Sequence, residues 1–151
     1  MKSKLSENSN SGVIALSVSP EADDQLALQS VFQPLKWMLF QADGLPSALR
    51  VLHKHEVGVV LCERDLPHAN WRDMLEHLIL LDDAPPLIVT SRLADEQLWA
   101  EALNLGAYDV LAKPFDTQEL TRTTHLAWLH WYHHPAIRSR TALKTFVAGR
   151  N

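Results

Sequence analysis

Disulfide chemistry is closed to this chain, because Cys62 is its single cysteine and no internal bridge can form. Long apolar runs are lacking as well: none approaches the roughly 20 residues that span a bilayer. The polar opening MKSKLSENSNSG has no apolar segment of the secretory-leader kind. A soluble protein in a reducing, cytoplasmic compartment is the expectation. Positive charge is scarce: 14 Lys and Arg against 18 Asp and Glu give a net −4 with histidine neutral. No broad basic field is left to hold a nucleic-acid backbone. Internal repeats and low-complexity blocks are also missing, which excludes solenoids and arrays.

What remains is a chain of 151 residues, 46% hydrophobic. That is enough for the core of one ordinary domain and too little for two. Residues 1–11 are rich in Ser and Asn without periodicity and read as a flexible arm. Five apolar runs follow, at 13–18, 35–40, 57–62, 87–90 and 108–112, alternating with stretches of helical spacing at 21–32, 46–55, 71–81, 94–105 and 117–133. Pro20 and Pro46 stand where helices begin, Gly106 where one ends, and Asp116 before the last. Strict alternation, with runs such as VGVVLC that suit burial on both faces, predicts an α/β domain over 12–133: a parallel sheet covered by helices on both sides. Residues 134–151 form a basic tail carrying Arg138, Arg140, Lys144 and Arg150 and no acid, readable as a short helix or a disordered arm.

In open parallel sheets, sites gather outside the carboxyl ends of the strands. The residues expected there are Ser19, Pro20 and Glu21 after the first run, Glu63, Arg64 and Asp65 after the third, Thr90 and Ser91 after the fourth, and Lys113 and Pro114 after the fifth. Glu63 facing Lys113, with Thr90 as a hydrogen-bonding neighbour, would make an ion pair or an anion site.

The order and spacing of VVLCERDLP, PPLIVTS and GAYDVLAKPF resemble the receiver domain of two-component response regulators, over roughly 12–133. The resemblance implies a flavodoxin-like three-layer sandwich with strand order 2-1-3-4-5. It also implies phosphoryl transfer from a histidine kinase to an aspartate ending the third strand, aided by Mg²⁺ on an acidic pair ending the first. Lys113 matches the family lysine, Thr90 the phosphoryl-binding hydroxyl, and Pro114 a proline preceded by a cis peptide. Elsewhere the chain departs from the pattern. Glu63 stands at the phosphoacceptor position, Ser19 and Pro20 replace the acidic pair, and Val110 replaces the switch aromatic. Asp23 and Asp24 fall inside the following helix and read as solvated first-turn acids. Glu21 is nearer and offers one oxygen. Mg²⁺ binding is therefore expected to be weak or absent.

Asp65 is the alternative acceptor, though it reads more simply as a solvent-facing loop carboxylate. Glu63 either imitates the phosphorylated state or remains as a structural ion pair. Imitation is partial: a phosphoryl group carries about −1.5 to −2 charges and three acceptor oxygens, a glutamate one charge and two oxygens. Shifting a two-state equilibrium from 1:99 to 99:1 takes about 5.5 kcal/mol, more than a single ion pair supplies. The expected role is that of an atypical receiver-like protein, not an enzyme. It would act in phosphorelay signalling by binding a signalling protein such as a histidine kinase or an output protein. The alternative is a phosphorylation-competent, Mg-dependent receiver using Asp65 or Glu63.

Among the other motifs, HLAWLHWYHH puts His130 and His134 at the spacing of a helical metal pair near His125 and His133, without Cys or HExxH context. An amphipathic, partly exposed face is the simpler reading. Receivers dimerise through their fourth and fifth helices and the strand between, so some of Leu126, Trp128, Leu129, Trp131 and Tyr132 are candidates for a homodimer contact. Cys62 reads as an inert core thiol. DNA binding through the 136–151 tail rests on only four cations and is disfavoured.

Overall fold

The computed structural model describes residues 12–133. The proposed N-terminal arm and the basic tail lie outside the described residues. Five parallel strands form the main sheet: β1 (Ile14–Val18), β2 (Met38–Ala42), β3 (Val59–Glu63), β6 (Leu87–Ser91) and β7 (Asp109–Ala112), in the order β2-β1-β3-β6-β7. This is the expected flavodoxin-like 2-1-3-4-5 sheet. Five helices connect the strands: α1 (Ala22–Phe32), α2 (Leu45–Lys54), α3 (Trp71–Leu78), α4 (Glu96–Leu105) and α5 (Thr117–Tyr132). A small antiparallel hairpin, β4 (Asp65–Leu66) with β5 (Ala69–Asn70), follows β3.

Strand alternation divides the core between two faces. Val59 and Leu61 of β3 join Ala15, Ile88 and Leu111 under α1 and α5, packed by Leu28, Phe32, Leu120 and Trp128. Val60 and Cys62 join Leu16, Val89 and Val110 on the opposite face, covered by Ala48, Met74, Leu78, Leu98 and Ala102. Such two-sided burial is why β3 and β6 read as unbroken apolar runs.

The local punctuation explains the element ends. Asp116 caps α5 by accepting from the Glu119 backbone N–H at 2.9 Å. Asn70 and Asp73 form a reciprocal capping box at the start of α3. Gly106 ends α4 at φ 113°, in the left-handed region glycine tolerates. Gly58 is required for a different reason. A Cβ there would lie 2.6 Å from Trp128 Cδ1 and 2.7 Å from Trp131 Cε3, so its bare backbone lets α5 close on the start of β3.

Two expectations need correction. The second strand begins at Met38 and not Leu35, because 33–36 form a turn in which Lys36 takes φ 61°. Trp128 and Trp131 are buried, 5% and 4% exposed, so they belong to the core and offer no contact surface. Leu126 and Tyr132, 48% and 44% exposed, are the outward-facing members of that segment.

Candidate functional site

The odd-numbered face of β3 runs Val59, Leu61, Glu63, so the pleat that buries the first two beneath α1 and α5 delivers the third to the same side at the strand's end. Glu63 is buried and aligned in register with Thr90 of β6, itself buried. Lys113 follows β7, held by its backbone N–H donating to the Ser91 carbonyl at 3.0 Å. The Lys113–Pro114 peptide is cis. Chain ends from β3, β6 and β7 thus meet at one rim of the sheet.

At that rim the Lys113 ammonium is enclosed by carboxylates. It donates to Asp24 Oδ2 at 2.6 Å, forms an ion pair with Glu63 Oε1, and lies 3.7 Å from Glu21 Oε1. The three main side chains are 3% (Lys113), 7% (Asp24) and 10% (Glu63) exposed, so this is a buried cluster and not a surface pair. The Ser19 hydroxyl donates to the same Asp24 Oδ2 at 2.7 Å and accepts from the Glu21 backbone N–H at 3.1 Å. Arg92 Nη2 stands 3.6 Å from Glu21 Oε1 at the exposed edge. Burial alone would lower the Lys113 pKa. Hydrogen bonds to Asp24 and Glu63, together with their charge, overcome that and hold it above the ordinary lysine value.

Asp24 corrects the sequence reading. It was assigned to solvent with Asp23, yet only Asp23 is exposed; Asp24 is buried. The signal lay in the helix period: the buried residues of α1 are Asp24, Leu28 and Phe32, four apart, so Asp24 continues the apolar stripe one turn toward the rim. Pro20 is exposed and carries no ligand. Asp65 also lies outside the cluster. Its side chain is 69% exposed and accepts from Arg64 Nε and Nη2 at 3.1 and 2.9 Å.

The remaining singled-out residues disperse. Cys62 faces the other side of the sheet, where burial, and secondarily the charge of Glu63, push its thiol pKa up. That leaves it a protonated donor to the Glu63 carbonyl at 3.3 Å. His125 stacks on Trp37, His130 packs against Tyr108 and His133 against Tyr132. His134 lies outside the described residues. No group of three or more metal-ligating side chains is found among the described residues.

The donor set does not fit the magnesium ion that receivers employ. Mg²⁺ needs near-octahedral oxygen ligands, commonly one or two carboxylates with water and phosphate. Here Ser19 and Pro20 supply no carboxylate at the first strand. The buried Asp24 Oδ2 already accepts from both Ser19 and Lys113.

Comparison with known proteins agrees with the fold. Residues 12–125 match the response regulator receiver domain. The chain belongs to that family. It is 30% identical over 117 residues to the two-component response regulator-like protein APRR1 of Arabidopsis thaliana, covering 73% of this chain and 18% of that protein. It is 28% identical over 102 residues to sporulation initiation phosphotransferase F of Bacillus subtilis, covering 65% of this chain and 82% of that one. The chain thus spans under a fifth of the first relative and about four fifths of the second. Among solved structures, the signal receiver domain of an HD domain-containing protein from Pseudomonas fluorescens Pf-5 superposes with a TM-score of 0.75. It is 27% identical, covering 82% of this chain and 92% of that one. The chemotaxis response regulator CheY4 of Vibrio cholerae shares the fold with a TM-score of 0.69 at 16% identity, covering 76% and 98%. No helix among the described residues is long and apolar enough to cross a membrane.

Proposed function

We propose that this chain is an atypical receiver: a non-enzymatic, cytoplasmic signalling module that acts by binding another protein and does not receive a phosphoryl group. The observation that carries this reading is the buried Asp24–Lys113–Glu63 cluster. A receiver lysine free to meet an incoming phosphoryl group is here engaged by two carboxylates of its own chain. Glu63 places a charge one methylene farther out than an aspartate would, and Lys113 neutralises it. The cluster therefore acts as a built-in structural ion pair with some character of a modified acceptor. The Arabidopsis relative's designation as response regulator-like accords with a receiver fold put to a modified use.

The partner class is a signalling protein, either a histidine kinase or an output protein. A homodimer through α4, β7 and α5 is the proposed self-association, with Trp99 and Leu126, 51% and 48% exposed, as its apolar contacts. The competing reading, an Mg-dependent receiver phosphorylated at Glu63 or Asp65, makes the opposite prediction in one experiment. The protein is incubated with a small-molecule phosphodonor and Mg²⁺ and weighed intact. An unchanged mass is expected; a stable phosphoryl adduct on either acid overturns the proposal.

A further inference from the structure

One edge of the sheet is β2, which pairs with β1 and with no other strand among the described residues. The parallel ladder fixes which of its backbone groups are left over. Met38 donates its N–H to the Val13 carbonyl at 3.0 Å, and the Ala42 carbonyl accepts from the Ser19 N–H at 3.0 Å, so residues 38, 40 and 42 turn their amides and carbonyls toward β1. Leu39 and Gln41 turn theirs outward. Past them the edge is closed at both ends: the Trp37 N–H donates to the Phe32 carbonyl at 3.3 Å, and the Asp43 N–H to Ser47 Oγ at 3.2 Å. The strand between is unguarded. Its residues, MLFQA, include no proline and no charge, and Met38 is 52% exposed. An edge without such guards is a template for another strand.

We propose that β2 pairs with β2 of a second copy of this chain, antiparallel, with Phe40 on the two-fold axis. Two observations name the occupant. The first is register. Centring on Phe40 sets Leu39 opposite Gln41 of the second copy, and reciprocally, so that every outward N–H meets an outward carbonyl. Centring on Leu39 or on Gln41 instead brings the other one against Trp37 or Asp43, whose N–H groups are taken. With Phe40 on the axis, the two copies of that ring form an aromatic cross-strand pair, and Met38 gains Ala42 of the second copy as its neighbour on the same face.

The second is charge. Lys36 and Asp43 flank β2 at its two ends, both exposed, and neither forms an ion pair among the described residues. Lys36 lines a groove of about 350 Å³ with Trp37, Met38 and Leu39 beside the start of the strand. The antiparallel register brings Asp43 of the second copy opposite Trp37, one residue from Lys36, at both ends of the pair. A parallel copy would set like charges together. Because β7 is the other edge of the sheet, this contact leaves the surface of α4, β7 and α5 untouched. A strand of five residues makes a small interface, so the association depends on concentration.

Amide hydrogen exchange, read residue by residue in the full chain at micromolar and at millimolar concentration, tests the pairing. The Leu39 and Gln41 amides are expected to slow by about tenfold at the higher concentration, while those of Phe40 and Ala42, already bonded to β1, hold steady. Fast exchange of Leu39 and Gln41 at both concentrations overturns the proposal. Slow exchange at both assigns the edge to a cover within the chain and overturns it equally. Met38→Lys, a lysine on the exposed edge, is expected to abolish the concentration dependence with Phe40 and Ala42 still protected. Lys36→Asp, an exchange that the left-handed backbone there tolerates, is expected to weaken the association by about tenfold. Adding Asp43→Lys to it is expected to restore the association, because antiparallel copies exchange the two ends; a double variant no better than the single one overturns the register.

Discussion

Lys113 and Asp24, 89 positions apart in sequence, meet at 2.6 Å inside the rim of the sheet, with Ser19 donating to the same carboxylate oxygen. Their pairing explains how a site lacking the first-strand acids still folds around a lysine. An ammonium only 3% exposed requires compensating charge, and α1 and β3 provide it from two directions.

Removing one member should therefore cost more than a surface ion pair does. Lys113→Met leaves two carboxylates buried side by side without a cation. A loss of about 3–5 kcal/mol in unfolding free energy is expected, as for the breaking of a buried pair. Replacing all three residues with apolar ones of similar volume should recover most of that loss. Urea unfolding of both variants measures it; a Lys113→Met loss below about 1 kcal/mol, the range of exposed pairs, would show the cluster to be solvated.

The alkaline limb of stability should have two parts. Lys113 has a raised folded pKa, so its contribution is fully present below the ordinary lysine value of 10.5 and is lost as pH climbs through the folded value. Cys62 is held protonated in the fold, whereas the unfolded thiol ionises near its ordinary 9.0. In both cases the native state binds more protons than the unfolded one, so stability falls with rising pH. Cys62→Ala should flatten the limb from about 9 upward, and Lys113→Met only the part above 10.5. Unfolding free energies measured across that range in the two variants separate the contributions; superimposable limbs in wild type and variants would contradict both assignments.

Gly58→Ala tests the close approach of α5. The added methyl must displace two indole rings that themselves fill the core, and overpacking of this kind costs about 1–3 kcal/mol. Trp131→Leu in the same chain should relieve part of the strain, making the double variant less destabilised than the sum of the singles. Strict additivity in thermal unfolding would mean that the two sites do not touch.

How much of this was legible in the sequence depended on how fully each element is buried. β3 and β6, covered on both faces, announced themselves as apolar runs within two residues of their ends. Edge strand β2 did not. Its register runs through Gln41, and Met38 is 52% exposed, so hydrophobicity marks neither end. The β4–β5 hairpin has two-residue strands, too short for any period to show. At the site, Glu63, Thr90 and Lys113 were found because strand ends are easily located. Asp24 was missed because its residue type suggested solvent while its position on the Leu28–Phe32 stripe pointed inward. Trp128 and Trp131 were misplaced for a related reason. Aromatics crowd that segment on several sides, and the stripe of Leu120, Thr124, Ala127 and Trp131 that selects the buried side becomes clear only from the packing.

Restoring the chemistry should take more than restoring the acceptor. Glu63→Asp by itself supplies the family's carboxylate, but Ser19 and Pro20 still offer no acidic pair, and Asp24 still engages Lys113. Without ligands for the cation that offsets phosphoryl charge, transfer from a small phosphodonor lacks its main electrostatic support. The single variant is therefore expected to keep its unmodified mass in the presence of phosphodonor and Mg²⁺. Combining Glu63→Asp with Ser19→Asp, Pro20→Asp and Asp24→Ala returns the acids to the rim and releases the lysine. This variant is expected to gain an Mg-dependent phosphoryl adduct by intact mass, abolished by chelation. An adduct on Glu63→Asp alone would place the whole departure from the family in one methylene of Glu63 and leave Asp24 a purely structural partner.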